Sequence, residues 1–211
     1  MKWFIFLSIA TFANSSALAQ EGGAWCWAAT EYDTLLSIVS PNGKYRIVVD
    51  DTALDVIDLL NGVRVQPTLG ICAPSEIAWA PNDSVFLVNQ SDGGAVGAWS
   101  LEVYRIVGNR LVDLHLSRNP LNEFKKKMKA WCPDEFPNIV GAGWVDGGAR
   151  LLVVGVVPDH SSCKGMGNIY CYMVDVHSGK IVDSFDGQTL KSRWFHIIGT
   201  AFENWSLPDD H

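Results

Sequence analysis

Charge is scarce in this 211-residue chain: Asp, Glu, Lys and Arg together make up 18%, against ~25% in an average globular domain. Positive charge is the scarcer sign, with 16 Lys and Arg against 23 Asp and Glu and a formal net charge of -7. An acidic surface repels phosphate backbones and anionic headgroups, which excludes a general role in binding nucleic acid or anionic membrane. Long apolar runs are missing too. The longest, Trp3 to Ala13, has 11 residues, well short of the ~20 that a membrane-crossing helix needs.

The familiar catalytic signatures are also absent. There is no G-x-S-x-G elbow, H-E-x-x-H pair, P-loop or D-x-[DN]-x-[DN]-G calcium loop. Gly141-Ala142-Gly143 and Gly165-Met166-Gly167 lack the third glycine and the strand-helix setting of a dinucleotide site. The five His, at 115, 160, 177, 196 and 211, include no pair at i, i+4. The acid pairs Glu31 with Asp33, Asp50 with Asp51 and Asp209 with Asp210 lie in turns or near the chain end, where solvation is the ordinary state. His160, Cys163 and Cys171 supply two ligand types without the tight paired spacing of structural zinc. The sequence therefore offers no catalytic residue, no cofactor and no metal site.

What is plentiful is core material: 48% apolar residues, nine Trp and five Cys, enough to exclude disorder. Met1-Lys2 precedes the apolar run, and a small-residue stretch ends at Ala17-Leu18-Ala19. A charged start, a short apolar segment and an A-x-A site are the three parts of a secretory signal peptide, with cleavage expected after Ala19. The expected location is periplasmic or secreted, where cysteines pair by default. Cys26, Cys72, Cys132, Cys163 and Cys171 are an odd number, so at most two bridges form within one chain. Cys163 with Cys171 is expected as a clasp across the turn-forming Lys164-Gly165-Met166-Gly167-Asn168. Cys72 with Cys132 or Cys26 comes next.

Internal repetition carries the fold. Ser40-Pro41-Asn42-Gly43-Lys44-Tyr45 and the strand after it align with Ala80-Pro81-Asn82-Asp83-Ser84-Val85 and with Val145-Asp146-Gly147-Gly148-Ala149-Arg150. Trp79 and Trp144 precede two of the three turns. A second register aligns Asp58-Leu59-Leu60-Asn61-Gly62-Val63 with Asp175-Val176-His177-Ser178-Gly179-Lys180, each an Asp opening a glycine turn. In the middle copy Gly108-Asn109 turns one β-rich run into the next, a hairpin signal. Three units follow, roughly 34 to 68, 75 to 116 and 139 to 185, each a four-stranded antiparallel meander in an all-β chain. These turns resemble the S-P-[DN]-G-[KR] and D-x-x-[ST]-G-[KR] turns of β-propeller blades of the WD40-like and TolB-like kind, with Asp83 in the place of Gly43 and Val145-Asp146 in the place of Ser40-Pro41. The resemblance implies a propeller-like stack of sheets; a sandwich of meanders has the same turn chemistry.

Spacing then sets the limits. Pro41 and Pro81 stand 40 residues apart, within the ~40 to 45 of a blade, but Trp79 to Trp144 is longer by about 25, and residues 117 to 138 supply the excess. There Asn119-Pro120 reads as a cap and helix start. Leu121, Phe124, Met128 and Trp131 share one face of a helix near 119 to 131, Lys125, Lys126, Lys127 and Lys129 occupy much of the rest, and Pro133 ends it. Residues 20 to 211 thus form a single domain of three sheets with a helical insertion. A fourth sheet arises if Trp194-Phe195-His196-Ile197-Ile198 pairs with an N-terminal strand; otherwise the stack is open.

Two functional classes fit. One is a non-enzymatic protein-binding protein of the bacterial envelope, an inhibitor or immunity protein by fold-level analogy, whose binding residues are Phe124, Lys125, Lys126 and Lys129 with Asp159 and His160 of the loop ending at Cys163. The other is a secreted hydrolase or lyase with active-site residues scattered over loops.

Overall fold

The structure is a computed structural model that describes residues 25–28, 36–50, 52–71, 75–92, 98–130, 132–158 and 161–198. Residues 1–19, where a leader is expected, and the loop residues Asp159 and His160 lie outside the described residues, as do Cys72 and Trp131. Thirteen strands occur among the described residues, with two α-helices. β2 (Leu36–Val39), β3 (Tyr45–Val49), β4 (Ala53–Asp58) and β5 (Val63–Gly70) form the first antiparallel meander. The second comprises β6 (Ser75–Trp79), β7 (Val85–Ser91), β8 (Trp99–Val107) and β9 (Arg110–Asp113). β10 (Asn138–Val145), β11 (Arg150–Val156), β12 (Ile169–Asp175) and β13 (Ile181–Asp186) form the third. β1 (Trp25–Ala28) adds to the second meander beside β6. A single parallel pairing, Gln66 with Arg110, joins the outer strands β5 and β9, so the first two meanders curl into one nine-stranded sheet.

The three meanders are layers, and hydrophobic burial between them is the main force holding them together. Ile47, Leu54 and Val56 of the first face Ile77, Trp79 and Phe86 of the second. The second meander's opposite face, with Leu87, Leu101 and Val103, meets Trp144, Leu151, Val153 and Tyr172 of the third. Burial on both faces accounts for the sequence character of these strands. β3, covered on one face only, alternates buried and exposed residues around Arg46, whereas Val85-Phe86-Leu87-Val88 and Leu151-Leu152-Val153-Val154 are buried at every position. Alternation marks a one-sided strand and a continuous apolar run a two-sided one.

The aligned turns share a left-handed position, although the third also has positive φ at Asp146 and Gly147 within a 3-10 turn. Gly43, Asp83 and Gly148 occupy equivalent positions and all have positive φ, at 72°, 60° and 90°. Asp83 keeps the left-handed backbone where glycine is replaced, a conformation that Asp tolerates better than most residues. In the second register Gly62 and Gly179 have φ of 65° and 66°, and each donates its N–H to the carbonyl of the opening Asp, at 2.8 Å in both copies. Asp58 and Asp175 also accept hydrogen bonds from inside their turns through side-chain oxygens, which holds both carboxyls below the usual range, side-chain hydrogen bonds from Asn61 and Ser178 being the largest cause.

The helical insertion is present, as α1 (Arg118–Met128). Asn119 does not cap it: the helix already includes Arg118, and the Asn119 amide instead donates to the Gly179 carbonyl at 2.8 Å. Pro120, Phe124 and Met128, four residues apart, form its buried stripe. Phe124 is pressed on Gly155 of β11, where an added Cβ would lie 2.6 Å from the ring. The helix thereby packs on the third meander, and Phe124 and Met128 join the apolar cluster that it shares with the second.

Two sequence expectations are corrected here. Residues 194 to 198 do not form a strand of a fourth sheet; they end a second helix, α2 (Gly187–Ile198), whose Leu190, Trp194 and Ile198 cover the outer face of the third sheet. The apolar residues read as a strand are shared between that face and solvent, since Phe195 is 49% exposed. The strand β1 pairs with the second meander rather than starting another. The cysteine pairing also differs: Cys132 is bridged to Cys163, with Cα atoms 5.3 Å apart, and not to Cys72. Cys163 does not pair with Cys171 because Cys171 lies within β12, opposite Val154, and its side chain is buried among the residues that α2 covers.

Candidate functional site

The cationic helix was the site expected from sequence, and the structure divides its residues. Phe124 is fully buried and offers no surface to a partner, because the helix needs it to reach Gly155. The lysines are on the surface, and three have neighbours that restrict them. Lys125 Nζ lies 3.7 Å from the centre of the Phe136 ring and Lys127 Nζ 3.9 Å from that of Tyr170, distances at which an ammonium group is attracted to a ring face. Lys126 pairs with Glu123 at 2.6 Å. Lys129 is exposed at the helix end. Phe136 itself is 63% exposed, so the Lys125 ammonium lies over an apolar ring open to solvent, directly after Asp134 and Glu135 in the chain. The Cys132–Cys163 bridge ties the segment after α1 to the loop before β12, fixing the surface to the third sheet.

A second region went unnoticed in the sequence because it is assembled from turns of two different meanders. In an antiparallel meander the first and third turns lie at the same end. The turns at 40–44 and 58–62 of the first sheet therefore share an end with 81–84 and 107–110 of the second. Between them is a groove with a cavity volume of 690 Å³. Its polar lining includes Lys44, Asp58, Asn61, Asp83 and Asn109, and Val63 and Ile106 supply apolar surface. The turns are fastened to each other: Asn42 N–H donates to Asp83 Oδ1 at 2.9 Å, across the two meanders. Gln66 N–H donates to the Asn109 carbonyl at 3.0 Å. Lys44 is held above its ordinary pKa, chiefly by the Tyr45 hydroxyl and next by Coulombic attraction, to which Asp58 and Asp83 contribute.

Elsewhere the polar side chains serve the framework. Asn89 joins the second and third sheets through Gly141 and accompanies Glu76. Tyr104 donates to Glu102 at 2.7 Å, and burial is the larger reason its phenol titrates well above the ordinary range. His115 pairs with Asp113 at 2.8 Å on the surface. Among the described residues, no group of three or more His, Cys, Asp or Glu side chains is placed to hold a metal ion, and no helix is long and apolar enough to cross a membrane. Gly141-Ala142-Gly143 is a bulge in β10: Gly141 faces the second sheet and Gly143 faces Ile197 of α2, and each is close enough that a Cβ would collide. No protein-family model and no curated protein matches the chain.

Proposed function

We propose that the chain is an exported, non-enzymatic protein-binding protein whose propeller-like stack of meanders presents the α1 surface to an acidic partner of the bacterial envelope. The observation that carries this reading is the exposed Phe136 ring under the Lys125 ammonium, beside a helix whose end also bears Lys126 and Lys129, on a protein of net charge -7. An apolar ring surrounded by charge is the composition of an interface centre with a polar rim, and a positive patch steers an acidic partner on an otherwise repulsive surface. The leader ending at Ala19 and the Cys132–Cys163 bridge support an oxidising location outside the cytoplasm. An inhibitor or immunity protein acts in this way, by occupying another protein's surface.

The test is capture from envelope extract with the mature protein recovered from the periplasm. A stoichiometric partner should be retained by the wild type and lost with K125E/K126E/K129E and with Phe136→Ala, both variants folded by circular dichroism. Absence of a partner together with turnover of a glycan or ester would replace this reading with the hydrolase or lyase alternative. Capture indifferent to both variants would remove α1 from the interface.

A further inference from the structure

The groove at the turn end has a charge arrangement that selects its ligand. Lys44 stands with Asp58 on its own meander and Asp83 on the next. An anionic ligand entering there meets two carboxylates, and a cationic one meets the ammonium group. In neither case is the ligand's charge matched without a like charge beside it, and like-charge juxtaposition discriminates strongly against a partner. A neutral ligand escapes both penalties. The amides of Asn61 and Asn109 add groups that each donate and accept, which suits a ligand whose own groups do both. Val63 and Ile106 provide apolar surface for C–H faces, and a volume of 690 Å³ lies within the ~300–1,000 Å³ of small-ligand sites. Three of the lining side chains are held in place: Asp58 accepts from Leu60 N–H at 2.9 Å and from Asn61 Nδ2 at 2.9 Å, and Asp83 from Asn42 N–H at 2.9 Å. Binding then has to order Lys44 and Asn109 but not these three.

We infer that this groove binds a neutral saccharide, its hydroxyls bonded to Asn61, Asn109, Lys44 and the two carboxylates. The site is separate from the α1 surface and stands or falls independently of it. The test is an array of immobilised oligosaccharides probed with the full mature protein, followed by calorimetric titration with the best neutral hit. The array should retain protein on neutral sugars and not on sialylated or amine-bearing ones. Asn109→Ala and Lys44→Met, whose melting curves should match the wild type, are each expected to weaken the titrated affinity tenfold or more. K125E/K126E/K129E should leave it unchanged. Retention by no neutral sugar, preference for charged sugars, or an affinity unmoved in N109A/K44M would each overturn the assignment.

Discussion

Asn89 on β7 and Gly141 on β10 exchange two hydrogen bonds across the space between the second and third sheets: Asn89 Oδ1 accepts from the Gly141 N–H at 2.7 Å, and Asn89 Nδ2 donates to the Gly141 carbonyl at 2.9 Å. β10 is an edge strand, and at its bulge a side-chain amide takes the place of a neighbouring strand. The same amide nitrogen also donates to Glu76 at 2.9 Å. Replacement by Ala leaves a buried N–H and a buried C=O without this partner, which costs about 2–3 kcal/mol. Urea unfolding of Asn89→Ala should show that loss as a lower midpoint with an unchanged slope. A variant as stable as the wild type would mean the sheets are held by apolar contact alone.

Glu76 gives the pH dependence. Burial raises its carboxyl pKa in the folded protein, opposed by the Asn89 hydrogen bond. A carboxyl raised on folding binds its proton more tightly in the native state. Its contribution is therefore most favourable below the ordinary Glu range and falls as pH rises through the unfolded value toward the folded one. Glu76→Gln keeps an acceptor for Asn89 and removes the titration. It should melt above the wild type at pH 7, and the difference should shrink below pH ~4, under the ordinary Glu pKa. A constant difference at both pH values would show that Glu76 does not titrate differently on folding.

Gly155 and Phe124 are a fitted pair. A methyl group at 155 would press on the ring from 2.6 Å, so Gly155→Ala is expected to lose about 1–3 kcal/mol through overpacking. Phe124→Leu in the same chain should recover part of that loss, measured as a coupling in a double-mutant cycle. Additive losses would show that α1 shifts away to make room.

The Cys132–Cys163 bridge closes a loop spanning 31 residues of sequence separation. Its removal by the double alanine variant should lower stability by about 3 kcal/mol, mainly by freeing the unfolded chain. Cys171 should behave differently. Its thiol is buried, and burial is the largest cause of its pKa lying far above the ordinary range, so thiolate is scarce at neutral pH. Alkylation followed by peptide mapping should find Cys171 unmodified in the native protein and modified after unfolding. Labelling of the native protein would place it nearer the surface.

Local chemistry was legible from sequence because it acts over a few residues. The turn at Asp83 was aligned with Gly43 although the glycine is gone, and the left-handed backbone is there. The three meanders, 36–70, 75–113 and 138–186, fall close to the units read from the repeats. The helix at 118–128 was visible in its apolar spacing, but the surface role given to Phe124 was not borne out, since spacing shows which residues share a face and not what that face meets. The stretch at 194–198 shows the same limit in another form, because five mostly apolar residues suit a strand or the packed side of a helix equally well.

What the sequence determined by itself, then, was where the chain turns and which strands are neighbours in a meander, since left-handed glycines, Asp-opened turns and short hairpins depend only on residues in immediate succession. Tertiary structure alone decided that Cys163 meets Cys132 and not Cys171, that Asn89 completes the edge of β10, and that Lys44, Asp58 and Asp83 share a groove. Each of these joins groups on different meanders or across the inserted helix. Their meeting depends on how whole layers stack, and stacking is driven by buried apolar area, which is nearly indifferent to direction and so leaves little trace in the order of the residues.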